Sequence, residues 1–197
     1  MAHAHRRMRT FVVAGLTALA AVAMLAFGAS PAAATVVESE FYSGTDSSSF
    51  DDCGFTLEVE STFKGHFVVR ADKDGEAFYG KDNYAFRDVL TNPETGQWFV
   101  IRGNGLFNEI KATLISGTIY EFTAIEAGQP FVLENSAGKV IVRDRGVIRQ
   151  TALFDTLGDG MPGAEFVQDT GIAVHGPHPG FAEDFPFCEI AAKLTGA

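Results

Sequence analysis

The sequence predicts an all-β protein: an antiparallel up-and-down β-barrel of about eight strands with a short C-terminal helix, the alternative being a two-sheet β-sandwich. Three observations carry this expectation. From Phe55 to Ala71, Phe55, Leu57, Val59, Phe63, Phe67 and Val69 alternate with Thr56, Glu58, Glu60, Thr62, Lys64 and Arg70, the period of a strand with one buried face. Turn-forming clusters punctuate the remainder, at Asp72-Lys73-Asp74-Gly75, Asn92-Pro93-Glu94-Thr95-Gly96, Asn135-Ser136-Ala137-Gly138 and Gly158-Asp159-Gly160, each rich in the residues that tight turns require. No helical pattern separates the strands, which excludes a parallel α/β sheet. Gly65, Gly103, Gly105 and Gly146 lie in or beside strands, where they allow the curl that closes a barrel and removes its edges.

The first 34 residues read as an address. Arg6, Arg7 and Arg9 precede an uncharged apolar stretch from Phe11 to Phe27, and Ala32-Ala33-Ala34 follows, the three-part layout of a cleaved export signal. An uncleaved anchor competes, because the apolar run approaches the ~18 residues of a membrane helix; the alanine triplet favours cleavage. Cleavage after Ala34 leaves 163 residues at a net charge of −13, since three arginines leave and no acid does. That length suits one domain with a real core.

Residues 35–52, with Ser43, Gly44, Ser47, Ser48 and Ser49, read as a flexible arm, and 53–197 as the barrel domain. The long strand 55–71 has to bend on a small core, and Gly65 is the expected bulge or corner; a hairpin turning at Lys64-Gly65 would preserve the same faces. Further strands are expected over 82–91, 97–102, 106–115, 117–125, 131–133, 140–151, 151–157 and 165–175. The segment 182–194 is the one expected helix, interrupted early by Pro186. Cys53 and Cys188 are the two cysteines, and an exported chain meets an oxidising compartment. They are expected to form a disulfide that closes a 135-position loop, a constraint of roughly 4–5 kcal/mol in chain-entropy terms.

Composition narrows the function classes. With 46% hydrophobic and 20% charged residues the chain is not a disordered one. Lys+Arg 15 against Asp+Glu 25, a net charge of −10 without a basic run, argues against nucleic acid and, once the signal is removed, against a membrane surface. There is no GxSxG elbow, phosphate loop, HExxH or CxxC, so familiar hydrolases, NTPases, zinc proteases and thiol oxidoreductases are not indicated, and no cofactor or metal is expected.

Of 18 phenylalanines, all but Phe11 and Phe27 follow the signal, enough rings to fill a barrel or to line a cavity. Phe55, Phe63, Phe67 and Trp98 are the ligand-contacting candidates, with Arg143 and Arg145. Those two arginines and Arg149 fall on one face of the strand 140–151. Facing inward they would hold a carboxylate or phosphate; facing outward they form a solvated row paired with Glu58, Glu60 or Glu109. Asp144 falls on the opposite face and needs a partner if buried. His66, His175 and Asp159 are the catalytic candidates, an imidazole with a carboxylate being the usual general acid–base pair. His175 and His178, with Asp159 or Glu183, also have metal-ligand chemistry, but Pro177 and Pro179 impose the extended shape of a plain loop. Asp72, Asp74, Gly75 and Glu76 imitate part of a Ca²⁺ loop and read as a turn, because the 12-residue ligand pattern is not completed.

The segments Phe50-Asp51-Asp52-Cys53-Gly54-Phe55, Gly65-His66-Phe67-Val68-Val69-Arg70, Thr91-Asn92-Pro93-Glu94-Thr95-Gly96 and Gly176-Pro177-His178-Pro179-Gly180-Phe181 resemble a group of exported bacterial proteins that have no assigned activity. The likeness spans most of the mature chain and implies secretion; it brings no functional residues with it. In architecture alone the chain is similar to small closed barrels such as lipocalins and allene-oxide-cyclase-like proteins, a warrant for fold rather than function. The leading expectation is a secreted barrel that binds a small, partly apolar or amphipathic molecule. The alternatives are a secreted cyclase, isomerase or hydrolase with a His–carboxylate site, and an extracellular protein-interaction domain.

Overall fold

A computed structural model describes residues 35–197; the expected export signal, residues 1–34, lies outside the described residues. Eight strands follow one another: β1 Val36–Phe50, β2 Leu57–Ala71, β3 Phe78–Thr91, β4 Trp98–Ser116, β5 Ile119–Asn135, β6 Val140–Arg143, β7 Gly146–Asp155 and β8 Glu165–His175. A 3₁₀ turn, Pro179–Phe181, and the helix α1, Phe187–Thr195, complete the chain. The strands form one antiparallel sheet in the order β1-β2-β3-β4-β5-β7-β8, with β6 beside β5. This is the up-and-down order the turn spacing predicts. Hydrogen bonds do not close it into a barrel, and β1 and β8 remain its edges.

Several local expectations change. The Ser-rich residues 36–50 are not an arm: they pair along the whole of β2 as β1, because a strand needs only a neighbour's free backbone groups and not an apolar sequence of its own. Gly65 is neither bulge nor corner, since both ladders of β2 run past it in unbroken register. The pieces expected at 97–102 and 106–115 are one strand, β4, and those at 117–125 and 131–133 are one strand, β5. Conversely, the strand expected over 140–151 breaks at Asp144-Arg145, where the Asp144 N–H donates to the Phe131 carbonyl and the Arg145 N–H leaves the sheet to donate to the Pro177 carbonyl. The helix begins only at Phe187, with Pro186 as its N-cap.

Residues paired across an antiparallel ladder share a face, so the registers sort the strands into an inner face and an outer one. The inner face carries two separate packed regions. At one end Leu57, Leu90, Phe99, Ile101 and Leu133 bury against Ala191 of α1, joined by Phe50, Phe55, Phe131, Val142, Phe187, Ile190 and Leu194. The helix therefore gathers side chains from β1 through β6, and each Phe or Leu it covers fully contributes about 1.5–3 kcal/mol. Cys53, between β1 and β2, and Cys188, in the first turn of α1, are disulfide-bonded with Cα atoms 5.1 Å apart. Thr95 Oγ1 donates to the Thr195 carbonyl at 2.5 Å and holds the helix's last turn to the β3–β4 loop. At the opposite end Ala77 packs with Tyr120 and Phe122, and the Tyr120 hydroxyl donates to Glu76 at 3.0 Å. A residue of the β2–β3 turn thus lies across the inner face of β5, which shows that the sheet curls towards that face.

Candidate functional site

Between the two packed regions the inner face carries a belt of aromatic and acidic side chains. Its register explains how large rings fit there. Tyr42 pairs with Gly65, Gly65 with Tyr84, and Tyr84 with Gly105; one row away, Gly44 pairs with Phe63, Phe63 with Phe86, and Phe86 with Gly103. Each ring lies over the glycine beside it. A Cβ on Gly44 would stand 2.7 Å from the Phe63 ring and one on Gly105 2.9 Å from the Tyr84 hydroxyl, both closer than real Cβ contacts allow, and one on Gly65 would collide with the Tyr42 hydroxyl.

The tyrosine hydroxyls reach the next row. Tyr42 donates to Asp82 Oδ2 at 2.6 Å, and Tyr84 donates to Glu126 Oε1. Asp82 and Glu126 both pair with Phe107, from either side, so Phe107 stands between two acidic positions whose backbones are about 10 Å apart across the sheet. Burial, reinforced by the neighbouring carboxylate, pushes both phenols well above their ordinary range. Both remain donors at any physiological pH.

Two more acids border the belt. Glu109 accepts from the Gly80 N–H at 2.5 Å, and burial pushes its carboxyl up to about 7 against that hydrogen bond. Asp88 is also raised by burial, opposed by the Ser61 hydroxyl. Asp82 is only 8% exposed, and no protein group donates to its buried Oδ1. Phe63, in the middle of the same face, is 40% exposed. The belt is therefore polar, aromatic and open in places, and it meets the helix-covered region through Phe86.

A second polar cluster lies where β6 gives way to β7. Asp144 is buried; its Oδ1 accepts from the Gly180 N–H at 2.8 Å, and its Oδ2 lies 3.9 Å from His178 Nδ1. Burial raises the Asp144 carboxyl against the pull of both neighbours. Both ring nitrogens of His178 are buried without a hydrogen-bond partner. The partner that a buried Asp144 requires is thus the 176–181 loop. No family model, curated protein or solved structure matches the chain.

The residues singled out from sequence fall into two groups. Phe63 and Phe67 stand on the inner face of β2, as the alternation predicts, while Phe55 belongs to the packing around the helix. Trp98 begins β4 on the outer face, since its neighbour Phe99 is the inward one. Arg143 pairs with Val132, itself opposite Arg102 on the outer face. Arg149 pairs with outward Ile125, and Arg145 lies exposed in the break. The break ends any common row, and no ion pair to Glu58, Glu60 or Glu109 forms among the described residues.

Nor do the catalytic candidates assemble. His66 is on the outer face, stacked on Phe41 at 4.0 Å and within 2.9 Å of Ser39 Oγ. His175 is exposed at the end of the edge strand β8, and Asp159 caps its own loop by accepting from the Met161 N–H. Among the described residues no group of three or more His, Cys, Asp or Glu side chains is placed to hold a metal. Tyr42, Asp82, Tyr84, Glu109 and Glu126 are what the sequence reading missed. Tyr42 lies in a Ser-rich stretch without apolar alternation, and both alternating sets of β3 mix polar with apolar residues, so neither set announces itself as inward.

Proposed function

We propose that this protein is an exported, barrel-like binding protein that takes a small, partly apolar molecule on its inner face. The observation that carries the reading is the division of the inner face into two packed ends with a part-buried belt of rings and acids between them, in which Phe63 is exposed; a purely structural interior would close into one core. Small-molecule sites have this character, an apolar wall with a few polar groups that fix orientation. In this reading the sheet wraps as a barrel, the helix plugs one end, and the unpaired edges β1 and β8 border the way in. Export rests on the layout of the first 34 residues, and a disulfide suits an oxidising compartment.

Native and denaturing mass spectrometry of the unreduced protein from its host's culture medium tests this. A chain starting at Thr35, two hydrogens below the dithiol mass, with extra native mass lost on denaturation, is the expected result. Absence from the medium overturns export, and a bare native mass under gentle extraction counts against a carrier. The enzyme alternative draws on one observation, the buried Asp144–His178 pair, and it would have to use those residues in place of His66, His175 and Asp159.

A further inference from the structure

We propose that the belt binds an organic cation, a protonated amine or quaternary ammonium group on a small apolar body; this deepens the ligand-binding reading and rests on it. The basic side chains of the sheet keep to one face, while acids occupy both. Asp82, Asp88, Glu109 and Glu126 stand on the inner face, while no Lys, Arg or His projects inward from any strand among the described residues. The basic side chains of β2, β3 and β4, such as Lys64, Lys81, Arg87, Arg102 and Lys111, all take the outer positions.

Acidity alone does not make a site. The independent observation is Asp82, which is more than nine-tenths buried, bound through Oδ2 to Tyr42, and left with an Oδ1 to which no protein donor points. A buried anionic oxygen of this kind is unfavourable unless a donor or cation faces it. The rings around it favour a soft, bulky cation. Phe107 stands between Asp82 and Glu126, and the hydroxyls of Tyr42 and Tyr84 donate to those same carboxylates. Donation to an anion enriches the phenol ring, which strengthens its attraction for a cation over its face. A metal ion fits less well, because among the described residues the carboxylates nowhere cluster closely enough to hold one. The strongly acidic chain draws cations towards the site from a distance.

Isothermal titration of the disulfide-intact protein compares choline with 3,3-dimethylbutan-1-ol, its neutral isostere. Choline is expected to bind at least tenfold more tightly. Asp82→Asn and Glu126→Gln should each weaken choline several-fold and leave the isostere unchanged, and Glu121→Gln on the outer face should alter neither; circular dichroism verifies that each variant is folded. Equal affinity for the two probes, or amide variants that leave choline binding intact, overturns the cation and leaves the apolar-ligand reading standing. Binding of neither probe also overturns the cation, and the ligand-binding reading is then judged on the co-purified mass alone.

Discussion

Gly65 sits under the Tyr42 ring, and the smallest possible side chain there displaces it. Gly65→Ala is expected to destabilise the protein by about 1–3 kcal/mol, the usual consequence of overpacking, and to break the Tyr42–Asp82 hydrogen bond; urea unfolding measures the first effect and choline titration the second. Glu109 makes a different kind of prediction. Its carboxyl rises from 4.5 to about 7 in the folded protein, so between those values the folded state holds a proton that the unfolded state has lost. Stability attributable to this residue therefore falls as pH rises from 4.5 to 7, by up to ~3 kcal/mol, and is not recovered above 7. Glu109→Gln is expected to remove that slope and to gain stability relative to the parent at pH 8, as read from paired denaturant curves at pH 5 and pH 8. An absence of any pH-dependent difference between the two proteins would contradict the burial argument. At this scale the sequence makes Phe63 and Phe67 legible, because alternation in β2 is clean. Asp82 and Glu126 are not legible, because an acid on a strand is read as outward unless the partner strands show which face it shares.

Among the elements, β1 shows what periodicity cannot detect. Its sequence from Val36 to Phe50 is mostly Ser, Gly and acidic residues, yet it pairs along almost the whole of β2, since the ladder is a backbone property and the inward contribution comes from Tyr42 and Phe50. The break between β6 and β7 is the other unread feature. Arg143, Asp144 and Arg145 continue an apparent alternation, and only the hydrogen bonds of Asp144 and Arg145 to Phe131 and Pro177 reveal the interruption. Asp144→Ala leaves the part-buried Gly180 N–H without its acceptor; a loss of about 1–3 kcal/mol is expected, together with faster amide exchange over 178–181. Unchanged exchange there would mean that Asp144 does not hold the loop. The helix and its disulfide were readable from the end of the chain and the two cysteines alone. Cys53→Ser with Cys188→Ser is expected to lower stability by about 2–5 kcal/mol in urea unfolding.

In the whole molecule, local order and long-range closure part company. Turn spacing predicts eight strands in chain order and the structure has them. Closure depends on how far a sheet coils and on whether two distant edges meet, which no local pattern encodes. The same is true of charge. A net −10 is visible in composition, but the confinement of the strands' basic side chains to the outer face emerges only once every register is fixed. If the inner face binds a cation, choline affinity is expected to increase between pH 6 and pH 8 as Glu109 ionises, and to weaken with added salt less than an exposed surface pair would.

Ligand binding on the inner face requires that its middle be an accessible site and not a filled core. Phe63→Trp in a Trp98→Phe background places one fluorophore in the belt, and acrylamide quenching reads its access to solvent. Ready quenching is expected in the free protein, and protection when choline is bound. A tryptophan at 63 that acrylamide cannot reach in the free, folded protein would show a solid interior and contradict ligand binding there.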